Sequence, residues 1–443
     1  MPPNADDLQY LGSRGFLKPI SGVTASQRSG EVWLDGKRID DNVEGYWRIH
    51  DNLYDFTDFI QRHPGGPDWL KMTKGTDITE AFEVHHIKGV AETLLPKYLV
   101  KKAQTPRISP YTFEENGFYR TLKQNVREEL KRIPKRAIII SALYIDALLL
   151  GTFAFSILSC RTWNYWYTLI AGYFLASLTV AAHNYFHQKD NFRMYYFNFS
   201  LMSFKEWRIS HSLSHHLYTN TIIDLEMLLF EPLIGYYPVA KTFMKKYLPW
   251  LYAPFLWFFT FHITLLNRFK TVIMNNDTRS FSRTDLIPYI LPLFMYFFGN
   301  QTLVDTLVMW NAIILCASFI FSAIGINAAH HHPEIFHDGD APRKETDWGL
   351  NQLDAVADRN EITGSHFLVL TNFGDHALHH MFPTLDQGLL HYIYPVFQKT
   401  LKQFNIDLRF TSQVELIKGQ FLQMARSEPN PNPPSSKWIK ETK

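Results

Sequence analysis

The chain holds only two cysteines in 443 residues. Both, Cys160 and Cys316, fall inside apolar runs, so neither a disulfide framework nor a cysteine-ligated metal cluster is available. An excess of either charge is also missing: Lys and Arg total 44 against 42 Asp and Glu. That balance leaves no broad basic field and excludes nucleic acid as the expected partner. The opening residues MPPNADDLQY lack a basic segment and an apolar core, so no cleavable signal is expected. With so few thiols, the polar parts are expected to face a reducing compartment. What the chain has in plenty is aromatic side chains, 15% of all residues, a composition that suits a bilayer interface.

Long apolar runs fill the middle. Residues 137–160 and 163–182 are each long enough to cross a hydrocarbon core of about 30 Å, and only Arg161 and Thr162 part them. They predict a helical hairpin. The basic cluster Lys131–Arg136 just before it places the N-terminal region in the cytosol. Three more apolar stretches lie at 247–266, 286–299 and 302–329. The first contains Pro249, Pro254 and His262 between flanking Lys245, Lys246, Arg268 and Lys270, and reads as interfacial or re-entrant; the other two form a second hairpin. The expectation is an all-α polytopic domain over 137–426 with four transmembrane helices and both termini cytosolic. Around it, 1–25 is read as a tail, 26–105 as a mixed unit with strand-like pieces at 31–39 and 46–56, and 427–443 as a disordered proline-rich tail. Residues 106–136 form a linker whose Phe118, Leu122, Val126 and Leu130 recur at i+4, predicting an amphipathic helix on the membrane surface.

In the mixed unit, His63 is followed by Pro64, Gly65 and Gly66, a turn whose glycines let the backbone approach a flat ligand. His85 and His86 stand downstream, so two imidazoles could hold a haem iron from both faces and leave no open position, the arrangement of an electron carrier. The stretches from Tyr46 to Gly66 and from Gly75 to His86 resemble a cytochrome b5 domain. The resemblance implies an α+β fold and haem b, with His63 as one axial ligand. The second is expected four residues after Phe82, at His86, with His85 as the alternative.

Three histidine clusters mark the membrane part: His183 and His187; His211, His215 and His216; His376, His379 and His380. All fall on the cytosolic side under the topology above, and His183 and His187 share a helical face. Eight imidazoles exceed the four ligands of one zinc ion and indicate two first-row metals. The box spacing, together with HHLYTN leading to Asp224–Glu226 and HHMFP after the third box, resembles the membrane fatty acid desaturase superfamily over roughly residues 150–400. With the haem unit in front, the chain is similar to cytochrome b5-fusion desaturases, among them the insect proteins called cytochrome b5-related.

That resemblance implies a cytosolic histidine-box cap, two Fe ions and an O2-dependent reaction that puts a double bond into a lipid acyl chain. Electrons would come through the fused haem from an NADH-cytochrome b5 reductase, at the endoplasmic reticulum membrane. A related di-iron lipid hydroxylase and a non-catalytic membrane-anchored electron carrier are the alternatives. His376 departs from the glutamine that many front-end relatives place at the start of the third box. The loop 330–350 could select substrate, though its acidic residues read more readily as solvated surface. A ninth ligand is expected where relatives place an asparagine and a histidine one helical turn apart: Asn327 and His331 have the i, i+4 spacing, whereas His330 and His332 are rotated to either side. Capping of the helix is the alternative role for this run.

Overall fold

The computed structural model describes residues 17–24, 28–326 and 330–434. The expected tail 1–25 thus lies mostly outside the described residues, as do Asn327 and the stretch 435–443. The first element is helix α1 (Gly30–Asp41), which corrects the strand-like reading of 31–39. Ser29 accepts the Val32 N–H as an N-cap and Lys37 pairs with Asp41 at i, i+4, while Trp33, Leu34 and Lys37 bury one helical face. The 46–56 piece is the expected hairpin: β1 (Trp47–Ile49) and β2 (Asn52–Tyr54) pair antiparallel, and β3 (Leu99–Lys102) adds to β2. Short helices, among them α2 (Pro67–Thr73) and α3 (Thr79–His85), surround a small core of Trp47, Ile49, Phe56, Leu70 and Phe82.

Helix α4 (Phe118–Glu129) is amphipathic as expected, but its apolar face does not lie on the membrane surface. Phe118, Leu122 and Val126 are at most 1% exposed and join the core beneath the histidine boxes. Tyr119 at its start donates its hydroxyl to the Met381 carbonyl and its N–H to Asp347. An apolar stripe of this width can face lipid or protein equally well, and here protein takes it.

Among the described residues, three helices are long and apolar enough to cross a membrane: α5 (Arg136–Thr162), α6 (Tyr165–Phe186) and α9 (Leu303–Gly325). The first two form the expected hairpin. Leu143 and Leu150 project from α5 at 63% and 71% exposure, the mark of a lipid-facing side, and Trp163 and Trp166 sit exposed at the tip. The 247–266 stretch is a bent pair, Phe243–Trp257 and Thr260–Asn275, crossing at 88° with Pro249 and Pro254 inside the first arm. Proline removes helix hydrogen bonds and so weakens this arm, while the bend itself falls just after it, between Trp257 and Thr260. The 286–299 stretch gives α7, a 3-10 turn over Arg283–Tyr289, and α8 (Ile290–Gly299), which packs on α5. Ten residues rise only about 15 Å, half a hydrocarbon core. The C-terminal ends of α6 and α9 both arrive at the box histidines, which sets the site at one end of this bundle.

Candidate metal centres and haem site

Each box histidine is placed by a different local device. His183 lies in the last turn of α6 and His187 caps it, so the i, i+4 spacing brings their Nε2 atoms to 2.9 Å. The second box lies on a π-helical turn, Arg208–His215, where the His216 N–H reaches back to the His211 carbonyl. That wider turn puts His211 and His216 together, Nε2 to Nε2 3.0 Å, and sends His215 the other way. The third box is a single turn, His376–Met381, in which His379 faces His183 at 3.1 Å and His380 faces the opposite group.

Two groups result. His183, His187, His211, His216 and His379 each offer a nitrogen, all within 4.8 Å of one another. His215, His330 and His380 form the second group, and His376 joins it with Nε2 2.6 Å from His330 Nε2. The histidine after α9 that enters is therefore His330, which corrects the expectation of His331. Helix α9 ends at Gly325, so the rotation of about 100° per residue used to select a face does not extend to 330–332. His331 instead stacks flat on Tyr236, ring centroids 3.7 Å apart.

The donor set fits cations. His330 Nδ1 lies 2.9 Å from the Ala355 carbonyl and His376 Nδ1 3.1 Å from the Phe373 carbonyl; His215 Nδ1 lies 2.9 Å from Asp224. Carbonyl and carboxylate oxygens only accept, so each Nδ1 carries a hydrogen, and His330 and His376, which burial keeps neutral, present a lone pair at Nε2. Those lone pairs converge: His330 Nε2 faces both His376 and His215, the latter at 3.2 Å. Nitrogens about 2 Å from one ion and at right angles to each other would stand about 3 Å apart. Burial drives His187, His216, His330, His376, His379 and His380 well below the ordinary imidazole range, which keeps them neutral.

Asp224 and Glu226 form the layer behind these ligands, the role that the sequence motif alone did not disclose. Glu226 sits 2.6 Å from His211 Nδ1. Burial alone would lower His215, but the charges of Asp224 and Glu226 outweigh it and push it up to about 9. Burial would raise Glu226, but His211 and His215 hold it down at about 2. These are carboxylate–histidine pairs of the kind that orient metal ligands. Gln352 and Thr219 stand behind His380 Nδ1, both at 3.3 Å. His380 Nε2 is buried without a partner.

The loop 330–350 turns its three aspartates inward, against the solvated-surface reading, while Glu334 and Glu345 stay exposed as that reading expects. Asp338, Asp340 and Asp347 are each under 9% exposed. Asp338 accepts the Ile222 N–H beyond the second box, Asp347 receives Tyr119, and Asp340 takes both Arg426 nitrogens. Asn430 then donates to Asp340 and to the Pro333 carbonyl, so the start of the expected disordered tail is pinned. Beside the metal groups lies a cavity of about 190 Å³, walled by His211, His215, His330 and His376, by Trp207, Phe230 and Phe321, and by Arg28, Arg268 and Lys270.

In the N-terminal unit the rings of His63 and His86 face each other, centroids 6.2 Å apart. Their Nδ1 atoms lie 2.9 Å from the carbonyls of Gly66 and Phe82, which again frees both Nε2 atoms. A metal bonded at about 2 Å on each side, with ring radii of about 1 Å, needs a separation of about 6 Å, so the pair fits one iron. His85 points elsewhere, against Trp69 at 5.5 Å.

Comparison with known proteins agrees in outline. A family described as cytochrome b5-like heme/steroid binding domain matches residues 36–104, and one described as fatty acid desaturase matches 161–412. A cytochrome b5-related protein of Drosophila melanogaster is 44% identical over 91% of this chain and 93% of its own length. An acyl-lipid (8-3)-desaturase of Mortierella alpina is 23% identical over 86% of this chain and 92% of its own. A probable Delta(5) fatty acid desaturase of Dictyostelium discoideum is 23% identical over 84% and 90%. The chain therefore belongs to the fatty acid desaturase family, in its form with a cytochrome b5 domain fused ahead of the desaturase domain.

Proposed function

We propose that this chain is an O2-dependent membrane desaturase that introduces a double bond into a lipid acyl chain. The observation that carries the reading is the convergence of the His330 and His376 lone pairs, their Nε2 atoms 2.6 Å apart. Bare nitrogens this close repel unless a cation lies among them. Two Fe ions, one per histidine group, would supply the oxidising power to remove hydrogen from an unactivated chain once O2 and two electrons arrive. His183, His187, His211, His216 and His379 hold one; His215, His330, His376 and His380 hold the other. Asp224 and Glu226 fix the tautomers of their histidines and balance the added charge.

Haem b would be held by His63 and His86, and with two protein ligands it would supply electron transfer. A cytosolic NADH-cytochrome b5 reductase is the matching donor. The cavity beside His330 and His376 takes the acyl chain against its aromatic wall. Crossings by α5, α6, α8 with its 3-10 lead, and α9 keep the haem unit and the boxes on one face of the endoplasmic reticulum membrane, with both termini cytosolic. Desaturation is preferred to hydroxylation because relatives along most of the chain carry desaturase names.

The test is expression in a desaturase-deficient yeast with lipid profiling and metal analysis of the purified protein. New unsaturated acyl chains and about two non-haem irons per haem are expected. Hydroxylated lipid in their place would move the chain to the hydroxylases, and haem iron alone would leave only an electron carrier.

A further inference from the structure

The haem unit does not float beside the desaturase core, and its contact face is built around residues that the reaction as described leaves unused. Gly66, in the turn after His63, adopts φ 110°, and a Cβ there would fall 2.4 Å from the Asp190 carboxylate, so the haem loop touches the segment that follows His187. Arg208 is 1% exposed; its Nη2 pairs with Asp190 at 2.8 Å and its Nε donates to the Phe186 carbonyl, one residue before His187. The same guanidinium lies over the Trp69 ring at 4.8 Å. Trp69 in turn contacts His85. His85 is covalently next to His86, its carbonyl receives the Thr384 hydroxyl just past the third box at 3.4 Å, and its Nε2 is buried with no partner.

A buried ring nitrogen left unpaired costs free energy, so it calls for an explanation. We propose that His85 is the relay through which electrons pass from the haem to the metal pair, with Trp69 and Arg208 as positioning residues that hold its ring in the contact face. Tunnelling falls steeply with the gap to be crossed, and bonded or touching atoms carry it better than voids. His85 offers one peptide step from a haem ligand and a ring packed on Trp69, which Arg208 joins to the segment around His187. One electron leaves ferrous haem, which becomes ferric; the metal pair gains it, and no bond is made or broken. A second passage follows once a nicotinamide-dependent reductase has reduced the haem again.

The inference rests on the metal reading above, and one experiment separates them. The full-length protein, reduced at the haem by dithionite, is mixed with O2 and acyl substrate, and haem reoxidation is followed by its Soret band with the metal sites filled or stripped by chelator. Wild type is expected to reoxidise faster when filled; equal rates would overturn the metal reading and the relay with it. His85→Leu, close in volume, should keep the six-coordinate haem spectrum and the metal content yet lose about tenfold of the metal-dependent rate, in line with the sensitivity of such steps to placement. A wild-type rate in that variant overturns the relay alone, and loss of the six-coordinate spectrum overturns it by making His85 the haem ligand. Trp69→Phe, which keeps ring bulk, is expected to lower the same rate by less while KM for the acyl substrate stays put; an unchanged rate removes Trp69 from the device.

Discussion

The haem pocket and the histidine cluster hold imidazoles under different constraints. His63 and His86 are half-buried, lie within one small unit, and each is oriented by a carbonyl at most four residues away. The cluster histidines are nearly all fully buried and come from four distant segments, and several are oriented from far along the chain: His330 by Ala355, His380 by Gln352. A haem brings its own planar ligand and needs only two axial nitrogens, so a short sequence suffices. Two bare ions need the protein to supply every ligand and its tautomer, so the whole fold is committed to them.

The largest effect that would break this contrast is cross-loss. His183→Ala removes a nitrogen that stands within 3.1 Å of three others and should abolish activity and empty at least one metal site, while the haem spectrum remains normal. His63→Ala should do the reverse, losing the six-coordinate spectrum with box metals retained. Metal analysis beside visible spectra decides it; loss of both cofactors in either variant would mean the two sites fold as one.

Next in size is the choice between neighbours after α9. His330→Ala is expected to lose metal as fully as His376→Ala, since each is the other's closest nitrogen. His331→Ala should keep near-normal metal and lose only the stacking on Tyr236, a cost of about 1 kcal/mol read as a small fall in melting temperature. Equal metal loss in the two variants would return His331 to the ligand set.

This pair also marks where reading the sequence stops. The box spacings, the haem turn, the first hairpin and the bent 247–266 segment were legible because each is local: helical periodicity, glycine and proline chemistry, run length. His330 was not, because its choice depends on where α9 ends. The same holds for α4, whose stripe of Phe118, Leu122 and Val126 reads alike for lipid and for protein. Asp338, Asp340 and Asp347 look like a surface charge run until the partners Ile222, Arg426 and Tyr119 arrive from distant segments. The 31–39 piece failed for a different reason: Val32 and Trp33 favour strands, and the Ser29 cap with the Lys37–Asp41 pair outweighs them.

A smaller effect is expected one layer out from the metal. Asp224→Asn keeps the shape around His215 but removes the charge that favours an Nδ1 hydrogen, so the affinity of that metal site should fall by about 10- to 100-fold. Titration with a competing chelator measures it. Thr219→Val, whose hydroxyl donates to the His215 carbonyl and Gln352 and stands 3.3 Å from His380 Nδ1, removes no charge and should fall less. If Asp224→Asn holds metal like wild type, the carboxylate serves only the Asn220 and Glu226 amides it also accepts.

The last effect concerns how firmly the two regions are joined, and it depends on pH. Glu83 of α3 is 2% exposed and gathers His50, Arg120 and Lys123, the last two from α4. Burial alone would raise its carboxyl, but the His50 hydrogen bond and the charges of Lys123 and Arg120 overcome that and lower it from 4.5 to about 2. A carboxylate depressed in the folded state adds stability that is complete above its unfolded value, near pH 4.5, and is lost as pH falls toward about 2. The shift corresponds to about 3 kcal/mol at most, reduced because Arg120 still touches solvent. Glu83→Gln should therefore lower the Soret-monitored melting temperature by several degrees at pH 7. The gap to wild type should narrow at pH 3, because wild type is then losing the same charge. A gap of equal width at both pH values would mean that Glu83 contributes packing rather than charge to the joint between the haem unit and α4.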